Sequence, residues 1–231
     1  MTYKYVFIDL DDTLWDFHSN ARSLLTEIYE QRYLAQYFEN FEQYFQLYSK
    51  RNLELWELYS KRLVTKEFLN LERFLYPFVE VGVDNVSLAA EISVEFLETI
   101  STKTILIPHA KELLDYLFPK YPLTLVSNGF IDVQLRKMKS AGIEHYFSHL
   151  VFSQSANALK PDKAIYEYAL QLNNAVAEEV LMIGDSFHAD VIGAQNAGID
   201  QVYFNPSGRS FEKQTPPSFT IKGLEELFFI L

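Results

Sequence analysis

Asp9 and Asp11 stand two positions apart, directly after a short apolar run, Tyr5-Val6-Phe7-Ile8. On an extended chain residues i and i+2 point to the same side, so both carboxylates face one way. A third acid, Asp185, comes after another apolar run, Val180-Leu181-Met182-Ile183, within Gly184-Asp185-Ser186, and Asp190 comes five residues later. Converging carboxylates repel, and burying them uncompensated is costly. A hard divalent cation resolves that repulsion, and an oxygen-only ligand set suits Mg²⁺. Ser127, Asn128 and Gly129 come after a third run, Leu123-Thr124-Leu125-Val126, and Lys160-Pro161 lies downstream of a fourth, Leu150-Val151-Phe152. A hydroxyl, the backbone amides after Asn128 and one ammonium are donors for an anion. An acidic metal cup beside an anion site describes a centre for phosphoryl transfer.

These groups need a scaffold that brings distant segments together. The apolar runs lack alternation, which suits strands buried on both faces of a parallel sheet. Gln201-Val202-Tyr203-Phe204 is a further short candidate. Helical patterns fall between the runs, at about 109–118, 130–140, 162–172 and 187–197. Gly142 and Gly198 sit just past two of them, where a left-handed cap favours glycine. Alternating strand and helix is the mark of a parallel α/β sheet, and in such sheets ligands collect beyond the carboxyl ends of the strands. All four motifs are at such ends.

Residues 16–100 break the rhythm. They hold no strand run, and Phe41, Tyr44, Phe45 and Tyr48 recur at helical spacing. Thr65 is placed to cap a helix ending before Pro77, and 87–99 reads as another helix. The expected organisation is a helical domain, 16–100, inserted into a discontinuous α/β domain made of 1–15 and 101–231. Asn205 to Pro217, with three prolines and a glycine, reads as a loop, and Ile221 to Leu231 as a last helix.

Composition narrows the function. The chain has 231 residues, 48% of them hydrophobic, enough for a substantial core. Its 31 acidic and 20 basic residues give a net charge of −11, which repels nucleic-acid polymers and anionic lipid surfaces. With no cysteine, a thiolate metal site and a cysteine nucleophile are excluded. No apolar stretch approaches the roughly 20 residues that span a bilayer. The N-terminal run is interrupted by Lys4 and closed by Asp9, Asp11 and Asp12, unlike a signal peptide. The expectation is a soluble, cytoplasmic protein whose partner is a small phosphorylated metabolite, with no nucleic-acid polymer or membrane involved. The oligomeric state is left open.

The ordered set resembles the haloacid dehalogenase (HAD) superfamily in its phosphatase form. It comprises Asp9-x-Asp11-x-Thr13, then Ser127, then Lys160, then Gly184-Asp185-Ser186 with Asp190. The helical insertion after the first motif is similar to that family's C1-type cap. The resemblance implies a Rossmann-like parallel-sheet core carrying an all-helical cap. It implies that Asp9 is the nucleophile, forming an aspartyl-phosphate, and that Asp11 is the general acid and then base. Mg²⁺ would be held by the Asp9 and Asp185 carboxylates and the Asp11 carbonyl, with Asp190 ligating or orienting. Ser127, Lys160 and the Asn128 and Gly129 amides would hold the phosphoryl group. The haloacid dehalogenases lack an aspartate two residues after the nucleophile, so Asp11 favours phosphate-ester hydrolysis, although transfer to a second sugar hydroxyl stays open. Ser127-Asn128-Gly129-Phe130, Ala158-Leu159-Lys160-Pro161 and Asn205-Pro206-Ser207-Gly208 resemble the branch of pyrimidine or housekeeping 5′-nucleotidases. The implied activity is Mg²⁺-dependent hydrolysis of nucleoside 5′-monophosphates. The alternatives are a phosphoglycolate or sugar-phosphate phosphatase and a non-hydrolytic metabolite- or partner-binding protein.

The remaining candidates have plainer readings. Asp12 is expected to cap or face solvent, Thr13 to bond locally and orient its loop, and Ser186 to cap the next helix. His188 is expected to face solvent, and the other histidines show no metal spacing. Most aromatics of 16–100 should pack helix on helix. Trp56 is the first candidate to stack on a nucleobase, with Arg51 and Asn52 either lining the same mouth or lying on exposed surface.

Overall fold

The computed structural model describes residues 3–211 and 215–231. Among these, six strands form one parallel sheet: β1 (Tyr5–Ile8), β2 (Leu123–Ser127), β3 (Phe147–Phe152), β4 (Val180–Gly184), β5 (Asp200–Phe204) and β6 (Phe219–Ile221). Their order is β3-β2-β1-β4-β5-β6. The chain winds outward from β1 through β2 and β3, then returns to the other side of β1 for β4. The carboxyl ends of β2, β1 and β4 are therefore neighbours, with Ile8 in register with Leu125 on one side and Ile183 on the other. This reversal is where open α/β sheets place ligands.

The chain forms two compact units, one of Met1–Phe17 with Thr104–Leu231 and the other of His18–Lys103. In the first, Val6, Phe7 and Ile8 are fully buried, which is why β1 shows no alternation. One core beside the sheet joins Phe7, Val126, Val151 and Met182 to Ile165, Tyr166 and Ala169. The last three belong to the helix Lys163–Asn173. Gly142 and Gly198 take positive φ, 68° and 75°, as their positions after helical patterns predict.

The second unit contains four α-helices, the first of which begins at Phe17: α1 (Phe17–Gln31), α2 (Phe41–Ser60), α3 (Lys66–Glu80) and α4 (Val86–Thr99). Asn40, Thr65 and Asn85 cap the last three, each side chain accepting from the amide three residues on. The aromatic spacing read from the sequence does pack helix on helix. Tyr48 stacks on Phe74 with ring centroids 5.3 Å apart, and Phe74 meets Phe96 at 5.2 Å. Tyr33 and Phe68 are exceptions, being exposed.

Two local expectations are corrected. Helix α3 does not stop before Pro77 but runs through it to Glu80. Pro77 lies in the last turn, so a single bond to the Arg73 carbonyl is lost, and burial of Pro77 and Phe78 offsets that loss. The tail is not a helix from Ile221. Phe219–Ile221 extends the sheet beside β5, and after Gly223 a 3₁₀ segment, Leu224–Phe229, buries Leu224 and Leu227 at the three-residue spacing that such a turn repeats. The helix expected near 187–197 is present, built of a π-helical turn, Phe187–Ile192, followed by one α turn, Gly193–Asn196. Within the predicted loop, 205–211 and 215–217 form no helix or strand, while Glu212, Lys213 and Gln214 lie outside the described residues. Among the described residues, no helix is long and apolar enough to cross a membrane.

Candidate active site

Asp9 comes directly after the last residue of β1 and is bound to the neighbouring strand, its amide donating to the Ile183 carbonyl at 3.0 Å. Its side chain faces Lys160. The Lys160 ammonium reaches three acceptors: Asp9 Oδ1 at 2.5 Å, Asp190 Oδ1 at 2.6 Å and the Val126 carbonyl at 2.8 Å. Three acceptors match the three protons of an ammonium, so this buried charge is satisfied. The backbone of Lys160 is held as firmly. Asn128 donates from Nδ2 to the Lys160 carbonyl at 2.9 Å and accepts the Lys160 amide on Oδ1 at 2.8 Å. The Asn128 side chain thus serves Lys160, a role that the sequence reading, which looked to the amides, did not anticipate.

Gly184 ends β4 and lets Asp190 fold back over the strand end. A β-carbon at Gly184 would lie 2.3 Å from the Asp190 carboxyl carbon, so no other residue fits without displacing it. Asp190 Oδ2 accepts the Ser186 amide at 2.9 Å, and Ser186 also caps the following turn through the Ala189 amide. Thr13 corrects its expectation: its hydroxyl does not bond locally but crosses to the end of β4. There it accepts the Asp185 amide at 3.1 Å and donates to Asp185 Oδ1 at 3.3 Å. Asp12 takes a left-handed backbone with φ 58°, and His188 is exposed as expected.

Ser127 Oγ is buried and accepts from the Gln134 side chain at 2.8 Å and the Gly129 amide at 3.1 Å. A hydroxyl has two acceptor lone pairs, so its own proton is the group left for an anion's oxygen. The Gly129 amide is thereby engaged with Ser127. Gln134 and Lys137, both on the helix Ile131–Ser140, grip Asp11: Gln134 Nε2 donates to Oδ2 at 2.8 Å and Lys137 Nζ to Oδ1 at 2.7 Å. Neither residue was singled out in the sequence. Their spacing of three puts them on one face of a helix that starts at the Ser-Asn-Gly turn, which is the available signal. A lysine in Gln134-Leu135-Arg136-Lys137 otherwise reads as part of a solvated charged face.

Carboxylate oxygens of Asp9, Asp185 and Asp190 lie within 4.8 Å of one another. Burial, aided by Asp190 and Asp11 and opposed by Lys160, pushes the Asp9 carboxyl up to about 7. Burial likewise holds Asp185 well above the usual carboxylate range, with Asp190, Asp9 and Asp12 adding to it. Burial pulls the Lys160 ammonium down, but Asp190 and Asp9 more than reverse this, and it stays charged. Once all three are ionised, three carboxylates against one ammonium leave a surplus of two negative charges. An all-oxygen cluster with that surplus fits a divalent cation such as Mg²⁺.

Strand-end acids, a bridging lysine and a serine donor thus stand together on one edge of a doubly wound sheet. The model of the haloacid dehalogenase-like hydrolase family matches residues 3–198, the span that holds all of them. The chain belongs to the haloacid dehalogenase-like hydrolases. It is 29% identical over 229 residues to the pyrimidine 5′-nucleotidase PynA of Streptococcus pneumoniae, covering 98% of this chain and 94% of that one. It is also 29% identical over 229 residues to the pyrimidine 5′-nucleotidase YjjG of Escherichia coli, covering 98% and 97%. The crystal structure of the HAD-hydrolase YfnB of Bacillus subtilis, a form bound to magnesium, superposes with a TM-score of 0.88 at 26% identity, covering 100% of this chain and 99% of that one. This HAD hydrolase therefore aligns over 98% of its length with two proteins named as pyrimidine 5′-nucleotidases.

The substrate candidates of the helical unit are differently placed. Asn52 is buried inside the unit and accepts from Arg73 at 3.3 Å. Arg51 is paired with Glu54 at 3.1 Å and Glu72 at 2.8 Å. Trp56 is half-buried, with its ring edge-on to Tyr59 at 5.7 Å.

Proposed function

We propose that this HAD hydrolase is a Mg²⁺-dependent phosphomonoesterase acting on nucleoside 5′-monophosphates, pyrimidines foremost. The observation that carries the reading is the Lys160 ammonium bridging Asp9 and Asp190, with Asp185 beside them and Asp11 two residues from Asp9. The two nucleotidase relatives support the substrate class.

In this reading an Asp9 carboxylate oxygen attacks phosphorus while the bond from phosphorus to the ester oxygen breaks. Asp11 gives its proton to the departing oxygen, so the nucleoside leaves neutral. The aspartyl-phosphate at Asp9 is then cleaved by water. Asp11 takes the proton from that water, the new P–O bond forms, the Asp9–phosphorus bond breaks, and inorganic phosphate departs. Ser127 donates to a phosphoryl oxygen and the positive charge of Lys160, held beside Asp9, offsets the negative charge that shifts among those oxygens. Mg²⁺, held by the Asp9 and Asp185 carboxylates and the Asp11 carbonyl with Asp190 supporting, would offset repulsion between the nucleophile and the phosphate dianion.

Substrate choice is assigned to the helical unit acting as a cap. Trp56, half-buried on that unit, is the candidate base-stacking face. The test is a panel of nucleoside monophosphates, sugar phosphates and phosphoglycolate, each with and without Mg²⁺. The expected result is hydrolysis that requires Mg²⁺ and is fastest for UMP, CMP or dTMP. Faster turnover of a sugar phosphate or phosphoglycolate would transfer the enzyme to that substrate class, and binding without turnover would end the hydrolytic reading.

A further inference from the structure

Lys137 is a buried cation with unusual surroundings. Its side chain keeps 4% of its surface, whereas that of its partner Asp11 keeps 31%. The ammonium lies 4.4 Å from the centre of the Trp15 ring and 5.4 Å from that of Phe17. Both rings belong to the segment that leaves the first motif, and Trp15 is fully buried. Ring faces attract a cation and exclude water, so Lys137 has one direction for its charge: Asp11 Oδ1, at 2.7 Å. The second oxygen of Asp11 is taken by Gln134, whose other amide proton goes to Ser127 Oγ. The carboxyl group is therefore held at both oxygens from the protein side and open on the other.

We infer that Lys137 is a positioning residue that fixes the orientation of the Asp11 carboxyl for proton transfer to the leaving oxygen. The inference rests on the phosphatase reading above. A carboxyl group turns about two side-chain torsions, and proton transfer demands a narrow range of both. Two donors at separate oxygens remove that freedom. A merely structural ion pair would instead support the fold and affect every substrate alike.

Leaving-group chemistry separates the two roles. An ester with a poor leaving group needs the proton, while one that departs as a stable anion does not. The experiment measures kcat/KM, which reports the steps up to transfer onto Asp9, for phenyl, p-nitrophenyl and 2,4-dinitrophenyl phosphate at saturating Mg²⁺. The proteins are wild type, Lys137→Met, Lys137→Gln and Lys137→Arg. In both neutral variants phenyl phosphate should lose about tenfold or more, while 2,4-dinitrophenyl phosphate stays within about twofold, and Lys137→Arg should recover most of the loss. The ratio of the phenyl to the 2,4-dinitrophenyl value compares substrates on one preparation, so it does not depend on the folded fraction. An equal loss across the series, or none, overturns the role of Lys137 and leaves the phosphatase reading standing. A wild type that hydrolyses none of the three with Mg²⁺ overturns that reading itself.

Discussion

Thr13 and Asp185 exchange two hydrogen bonds across the ends of adjacent strands, the threonine hydroxyl accepting from the amide at 3.1 Å and donating to the carboxylate at 3.3 Å. The contact fixes which way Asp185 faces before any cation arrives. Thr13→Val keeps the shape and removes both bonds. Affinity for Mg²⁺ should fall about tenfold, in line with the loss of a group that orients a ligand. Calorimetric titration of the metal-free protein checks this, and an unchanged affinity would show that Asp185 needs no such partner.

Lys160 bridges two acids at 2.5 Å and 2.6 Å with hardly any exposure to water. Lys160→Ala should lower kcat/KM by about 10²–10³, the usual effect of deleting one positioned electrostatic donor. The metal-free variant should also lose about 3 kcal/mol of stability, because Asp9 and Asp190 are left without their buried counter-charge. Denaturant melts with and without Mg²⁺ measure the second effect apart from the first.

Asp9→Asn should abolish turnover while the fold persists, since the amide cannot act as the nucleophile. It also gives a pH signature. In the folded metal-free protein Asp9 is raised to about 7 from an ordinary 3.8, so the native state binds the extra proton between those values. A group raised on folding contributes stability that is lost as pH rises through the folded value. Asparagine has no proton to lose. The melting temperature of metal-free Asp9→Asn relative to wild type should therefore climb from pH 4 to pH 7, and a flat difference would contradict the burial of an unneutralised acid here.

Gly184 is the fourth handle. A methyl group there would sit 2.3 Å from the Asp190 carboxyl carbon, and Asp190 is anchored by both Lys160 and the Ser186 amide. Gly184→Ala should cost about 2 kcal/mol as the site is overpacked, with Mg²⁺ affinity falling in step. Thermal melts and metal titration on the same variant read both. A well-folded Gly184→Ala with native affinity would mean that Asp190 moves without consequence.

The strand ends were the legible part of this chain. Unbroken apolar runs mark strands buried on both faces, and the residues just past each run are forced to one edge, so Asp9, Ser127 and Asp185 could be placed together from order alone. Thr13 was read as a local bond because its partner, 172 residues away, is visible only once β1 and β4 are paired. Gln134 and Lys137 escaped for a related reason: amphipathic spacing says which residues share a helix face, not that the face meets an acid from another strand. Pro77 and the tail misled because local rules met tertiary packing. A buried last turn tolerated the proline, and an open sheet edge recruited Phe219–Ile221.

The surplus of acids over ammonium at the sheet edge also makes the folded protein a gauge of dissolved cations. A cation that binds only the native state raises its stability by RT ln(1 + [cation]/Kd), about 2.7 kcal/mol at a hundredfold excess over Kd. Thermal shifts recorded across a series of divalent salts would thus rank the metals this chain accepts before any substrate has been identified. They would also warn that storage in chelating buffer selects the weakest form of the fold.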